Sequence, residues 1–288
     1  MSLLRFVPII AVAFGSLLST GCRNRAADKL NKPVLTVSIE PQRWMLERIV
    51  GDKMAVSSLL ARGGNPENYE PAFSHLASLE QSEAYFCVGN SGFEEAILQK
   101  VRANNPSLPI IVTSDSIALI HDEHAGHNHG VDPHVWSSAK NARTMAENMY
   151  REVIKIDPRN KDTYTKNLIN LLQSIDSVNS VCDSILTPAK GSSFLVWHPS
   201  LSYFARDYGL NQVTLGAEGK ELSVKDTQNL INQVDSLGAK VFLVQKDFDN
   251  TRADAITAGR LKVATIDPLN YDWASELVHT AKSIAEGK

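Results

Sequence analysis

The chain is poor in the features that would assign it to several broad classes. It has only three cysteines in 288 residues, Cys22, Cys87 and Cys182, too few for a disulfide scaffold. Cys87 lies in the apolar run Ala84-Tyr85-Phe86-Cys87-Val88 and reads as a small core residue. Cys182 falls in a helical pattern, and the spacing does not indicate a bond between the two. There is no excess of positive charge: 29 Lys and Arg against 32 Asp and Glu leave a formal charge of −3, which offers no basic surface for nucleic acid. Neither a His-Glu-x-x-His motif nor a Ser/His/Asp arrangement in recognisable context is present. Internal repeats are lacking too. What remains, 43% hydrophobic and 21% charged residues, is the composition of an ordinary globular protein.

The first residues read as an export signal. Met1 to Arg5 carry one positive charge and Phe6 to Leu18 form an uncharged, mostly apolar run. That run is short of the ~20 residues a spanning helix needs but suits a secretory signal. It ends in Leu18-Ser19-Thr20-Gly21-Cys22, which resembles a bacterial lipobox, with Ser19 where Leu is more usual. The expectation is a signal peptide over 1–22 that leaves Cys22 as the lipidated first residue, then a polar tether over 23–32. The competing reading is an ordinary cleaved signal with an incidental cysteine. Either one places the protein in the periplasm or on the cell surface.

About 255 residues run from Pro33 to the end, more than a single core usually organises. Short β-rich segments alternate with helical ones. Strands are expected at Val34–Ile39, Met54–Leu60, Ala84–Val88 and Pro109–Thr113, and helices at Gln42–Val50, Phe73–Ser82 and Phe93–Ala103. A second set starts with strand Ser193–Trp197 and ends with strand Lys262–Ile266 and a helix from Tyr271. Such alternation predicts parallel strands with crossover helices, hence an α/β fold. Between the sets, Tyr164, Leu168, Leu171, Leu172, Ile175, Val178, Val181 and Ile185 recur at helical steps. They predict one helix of about 27 residues, ~40 Å long at 1.5 Å per residue. The expected architecture is therefore an N-terminal α/β lobe (33–158), a rigid linking helix (159–187) and a C-terminal α/β lobe (188–288).

The densest chemical signal is histidine. Five of the eight lie between His121 and His134, and imidazole is the commonest protein ligand for transition metals. His121, His124, His127 and His129 sit among Asp, Glu, Gly and Asn, as in a loop over 121–130 that collects metal. His134 instead belongs to Asp132-Pro133-His134-Val135-Trp136, a turn that enters an ordered segment. Four short segments place a potential ligand beside proline: Asn65-Pro66-Glu67, Asp132-Pro133-His134, Trp197-His198-Pro199 and Ile266-Asp267-Pro268. Two precede the long helix and two follow it. In parallel α/β folds, loops at the carboxyl ends of strands line the ligand crevice.

These segments resemble the metal-binding lipoproteins of bacterial ABC importers for zinc and manganese, the cluster A-I or zinc-uptake family. The likeness runs along nearly all of the mature chain. It rests on Gly64-Asn65-Pro66-Glu67-Asn68-Tyr69-Glu70-Pro71, on residues 132–136, and on Trp197-His198-Pro199 with Tyr203-Phe204 and Tyr208-Gly209. It also rests on Glu218-Gly219-Lys220-Glu221 and Ile266-Asp267-Pro268-Leu269. The resemblance implies two lobes joined by a rigid helix, one metal held between them, no enzymatic activity, and a permease with its ATPase as partners of a monomeric protein anchored through Cys22. By position it implies His134, His198 and Asp267 as ligands.

One position departs from the family: where its members usually carry a first histidine, this chain has Glu67. Glu67 is either the fourth ligand or a solvated loop residue that leaves its place to water. Two imidazoles with two carboxylates suit Zn²⁺ and do not exclude Mn²⁺ or ferrous iron. In this family a histidine at the third position, here His198, goes with zinc. The histidine loop also resembles the insertions of zinc-uptake members. Zinc is the expected cargo, with manganese or iron as the alternative within the family. Outside it, a zinc-dependent hydrolase using Glu67 as base, or a surface adhesin, remain the rival classes. Tyr69, Trp136, Trp197 and Tyr203 are expected as walls of the site.

Overall fold

The parallel strands expected from the alternation are present, as two separate four-stranded sheets. The structure is a computed structural model, and it describes residues 32–60, 69, 77, 79–121, 130–214, 232, 236, 238–246, 257 and 259–287. From Lys32 onward the chain is one compact unit.

The first sheet contains β1 (Val34–Val37), β2 (Ala55–Ser58), β3 (Ala84–Cys87) and β4 (Ile110–Val112), in the order β2-β1-β3-β4. Helix α1 (Glu40–Val50) and helix α2 (Gly92–Asn104) belong to this half. The second sheet repeats the topology with β5 (Ser193–Val196), β6 (Asn211–Thr214), β7 (Val241–Gln245) and β8 (Lys262–Ile266), in the order β6-β5-β7-β8. All pairings in both sheets are parallel. In each, the chain leaves the first strand to one side and then crosses back to the other. The crevice that forms at such a switch opens at the carboxyl ends of the two central strands.

Strands buried on both faces read as continuous apolar runs, and β3 (Ala-Tyr-Phe-Cys) and most of β7 (Val-Phe-Leu-Val-Gln) are buried throughout. β1 stops at Val37, two residues before the end expected at Ile39. The reason is local: the Gln42 side chain accepts hydrogen bonds from the backbone N–H of both Ser38 (3.0 Å) and Ile39 (3.2 Å), drawing the chain into α1.

Helix α3 (Ala139–Ile156) starts at Ser138, whose hydroxyl accepts from Asn141 N at 3.0 Å, an N-cap that satisfies one of the free donors there. After a 3-10 turn at Pro158–Asn160 the long helix α4 (Lys161–Leu186) runs for 26 residues, ~39 Å. It buries Tyr164, Leu171, Ile175, Cys182 and Leu186 and packs against α1 and α3 of the first half and against α6 (Trp273–Ala285) of the second. One hydrophobic cluster includes residues of both halves and of α4. The linking helix is thus fixed along its length, which is what makes it a strut. Cys87 and Cys182 are both buried, free thiols. Among the described residues, no helix is long and apolar enough to cross a membrane.

Candidate metal centre

His198 lies two residues beyond the end of β5, in a tight turn where Ser200 N donates to His198 O at 2.9 Å. Gln245, at the end of β7, donates to the Ser200 hydroxyl at 2.5 Å, and so ties that turn to the neighbouring strand. His134 is held differently. Asp132 N donates to Ile120 O at 2.9 Å and Val135 N to Pro133 O at 2.8 Å, and a 3-10 turn over Val135–Ser137 follows. Both imidazoles are 3% exposed.

The two rings meet edge to face, with centroids 4.8 Å apart, and their Nε2 atoms are 3.0 Å from each other. Sixty-four residues of sequence separate them. An uncharged pair can share only one hydrogen across that gap, so one nitrogen donates and the other accepts. A cation in the gap takes over that role and binds both lone pairs. Two nitrogens on one tetrahedral zinc, each at about 2.0–2.1 Å, lie ~3.3–3.4 Å apart. The observed separation needs to open by only a few tenths of an ångström.

Asp132, 1% exposed, accepts from His134 Nδ1 and from His134 N, each at 2.8 Å. Burial alone would raise its carboxyl, but the charge and hydrogen bonds of His134 and a hydrogen bond from Ser202 outweigh burial and hold it below the ordinary carboxylate value. The Tyr203 hydroxyl donates to Asp132 O at 2.7 Å and accepts from Ile120 N at 3.1 Å.

Asp267 is the residue immediately after β8. Its backbone N–H donates to Glu276 Oε1 at 2.8 Å and its carboxylate lies 3.7 Å from Lys246 Nζ. Burial pushes the Glu276 carboxyl up to about 7. The segment that carries Asp267 is bonded to the His134 turn: Trp136 Nε1 donates to Pro268 O at 2.9 Å, and Trp273 Nε1 donates to Trp136 O at 2.7 Å. It is also bonded to α1, through Tyr271 OH to Glu47 Oε2 at 2.5 Å and the Trp44–Trp273 ring pair at 5.3 Å.

The structure therefore brings His134 and His198 together. Among the described residues, no group of three or more His, Cys, Asp or Glu has the arrangement of a metal site, so Asp267 does not join the pair as a third ligand here. Glu67, His124, His127, His129 and Cys22 lie outside the described residues. His121 is exposed and forms an isolated antiparallel bridge with Val131. Of the expected walls, Trp136 packs 5.1 Å from the His134 ring, and Tyr203 holds Asp132 as above. Trp197 packs on Phe242, and Tyr69 on Phe93. Sequence reasoning missed Asp132, Ser202 and Glu276; a carboxylate two residues before a ligand histidine is the one sequence signal that pointed to any of them.

Residues 35–287 match the family described as zinc-uptake complex component A, periplasmic. The chain belongs to this family. Its members are binding proteins for metal transport, not enzymes, which removes the hydrolase alternative. A crystal structure of ZnuA superposes with a TM-score of 0.82 at 34% identity, covering 89% of this chain and 99% of that one. A zinc-bound ZnuA deletion mutant gives 0.80, also at 34% identity, over 88% of this chain and 97% of that one. The zinc-binding protein AdcA of Streptococcus pyogenes is 24% identical over 93% of this chain, which spans only 56% of AdcA. The chain thus covers about half the length of those streptococcal relatives. The manganese complex of FpvC from Pseudomonas aeruginosa has the same fold, with a TM-score of 0.77 at 21% identity over 89% of this chain and 98% of FpvC.

Proposed function

We propose that this family member is the extracytoplasmic capture component of an ABC importer, with Zn²⁺ as its cargo. His134, His198, Asp267 and Glu67 would hold the ion, and a permease with its ATPase would receive it. The observation that carries the reading is the buried Nε2 pair at 3.0 Å. Two imidazole nitrogens aimed at one another from opposite halves of the molecule suit a divalent ion that takes imidazole readily.

Further support comes from the way Asp267 is held. Its segment is bonded to the His134 turn through Trp136 and Trp273, which ties the stretch that carries the third ligand to the turn that carries the first. Glu67 would supply the fourth. A carboxylate in that place adds negative charge and makes the site harder, and a preference for Mn²⁺ is the outcome that would displace zinc. Anchoring through lipidated Cys22, the monomeric state, the lobe boundaries at 158/159 and 187/188 and the auxiliary role of His121, His124, His127 and His129 belong to the same proposal.

Competition titration of demetallated protein with Zn²⁺ and Mn²⁺ tests it. One tightly bound Zn²⁺ per chain, lost in His134→Ala and in His198→Ala, is expected. Tighter Mn²⁺ than Zn²⁺ binding, or an unchanged affinity in both variants, refutes it.

A further inference from the structure

We propose that Asp132 is the positioning residue of the His134 ligand: it holds His134 as the Nδ1–H tautomer, so that Nε2 presents its lone pair to the metal, and His198 is the ring that changes tautomer when the metal enters. The inference rests on His134 and His198 being ligands.

The geometry leaves few choices. A carboxylate oxygen 2.8 Å from His134 Nδ1 accepts, so Nδ1 carries the hydrogen. Nε2 of the same neutral ring is then bare, and the 3.0 Å contact between the two Nε2 atoms has to be filled by a hydrogen on His198. In the metal-free protein the two rings are consequently opposite tautomers. Metal binding changes one of them. The hydrogen of His198 passes from Nε2 to its own Nδ1, which leaves the ring neutral and frees the Nε2 lone pair, and His134 needs no change. A carboxylate behind a metal-binding imidazole also raises the basicity of that ligand, and losing such a partner typically costs 10- to 100-fold in metal affinity.

Asp132 is itself held from the other half of the molecule. Ser202 and Tyr203, which contact its carboxyl and its carbonyl, follow His198 by four and five residues and begin helix α5 (Ser202–Tyr208). One short span thus supplies the second histidine and also the supports of the residue that orients the first. Displacing this span removes His198 and loosens His134 in the same movement. The two ligands are coupled through Asp132 rather than released one after the other.

Long-range ¹H–¹⁵N correlation of the histidine rings at pH 8, with signals assigned through His134→Gln and His198→Gln, reads the tautomers directly. In metal-free wild-type protein His134 is expected with bare Nε2 and His198 with protonated Nε2; on adding Zn²⁺ only His198 changes its pattern. D132A should give mixed His134 tautomers and a 10- to 100-fold weaker Zn²⁺ affinity, measured by competition with a chelating dye. D132N, which keeps a carbonyl acceptor, should lose less affinity and retain the Nδ1–H form. If D132A does not fold, the wild-type and D132N spectra decide. Protonated Nε2 on His134 in the metal-free wild type, or D132A with wild-type tautomer and affinity, overturns the inference. Failure of the wild-type protein to bind Zn²⁺ would instead overturn the function proposed above, while the metal-free tautomers would still be read independently.

Discussion

Trp136→Phe removes one hydrogen bond and keeps the aromatic ring beside His134. In the wild-type protein Trp136 Nε1 donates to Pro268 O at 2.9 Å, and Trp273 Nε1 donates to Trp136 O at 2.7 Å in a buried setting. Deleting one donor and leaving its acceptor buried costs about 1–3 kcal/mol. For a protein of this size each kcal/mol shifts Tm by roughly 2–4 °C. W136F is expected to lower the Tm of metal-free protein by at least ~2 °C, and W273F by more, because the Trp136 carbonyl is the more buried acceptor. Both bonds hold the segment around Asp267 against the His134 turn. The double variant should therefore lose less than the sum of the two, with a coupling of about 0.5 kcal/mol or more. If Asp267 is a ligand, a loosened segment also weakens Zn²⁺ binding, by up to about tenfold where 1.4 kcal/mol of ordering falls on the binding step. Calorimetric melting and competition titration of the two single variants and the double provide all these numbers. Single variants that melt with the wild type and bind Zn²⁺ equally well would refute the claim that these bonds organise the site.

Three other outcomes follow from particular residues. Burial raises the Glu94 carboxyl even though Ser38 and the backbone N–H groups of Val88 and Gly89 pull it down. Because its folded pKa lies above its unfolded one, its contribution to stability is full below the unfolded pKa and is lost as pH rises through the folded value; urea unfolding of metal-free E94Q against pH should show a flatter profile above pH 4.5 than wild type. Gly89 has φ +91° and an added Cβ would lie 2.6 Å from Val112 Cγ1, so G89A should destabilise by about 2 kcal/mol or more through strain and overpacking together, read as an unfolding midpoint. Arg143 pairs with Asp176 at 2.9 Å between two exposed side chains, and R143A should change stability by less than about 1 kcal/mol in the same assay.

The fold was legible because its signal is local. Short apolar runs such as Phe194–Val196 and Val241–Val244 alternate with helical periods, and the three- and four-residue steps from Tyr164 to Ile185 mark one long helix. Strands end earlier than hydropathy suggests at Ile39, Leu60 and Trp197, since residues there turn to side-chain and loop partners while staying buried or half-buried, and hydropathy does not separate the two states. The site was legible in a different way. No periodicity links His134 to His198 across 64 residues; their motifs did, through resemblance. The tautomer control by Asp132 was hidden because it depends on which atom of the ring the carboxylate meets, and that is set by the 3-10 turn after Pro133 and by Tyr203 from the other half.

The central claim is that two buried histidines from opposite halves hold one zinc ion. X-ray absorption at the zinc edge, on protein loaded with one equivalent of Zn²⁺, tests it most directly. Two imidazole nitrogens at about 2.0–2.1 Å are expected together with oxygen ligands, four ligands in all, with loss of the imidazole scattering pattern in the His134→Ala, His198→Ala double variant. A loaded wild-type protein with an all-oxygen shell, or with the same imidazole pattern in the double variant, would contradict it.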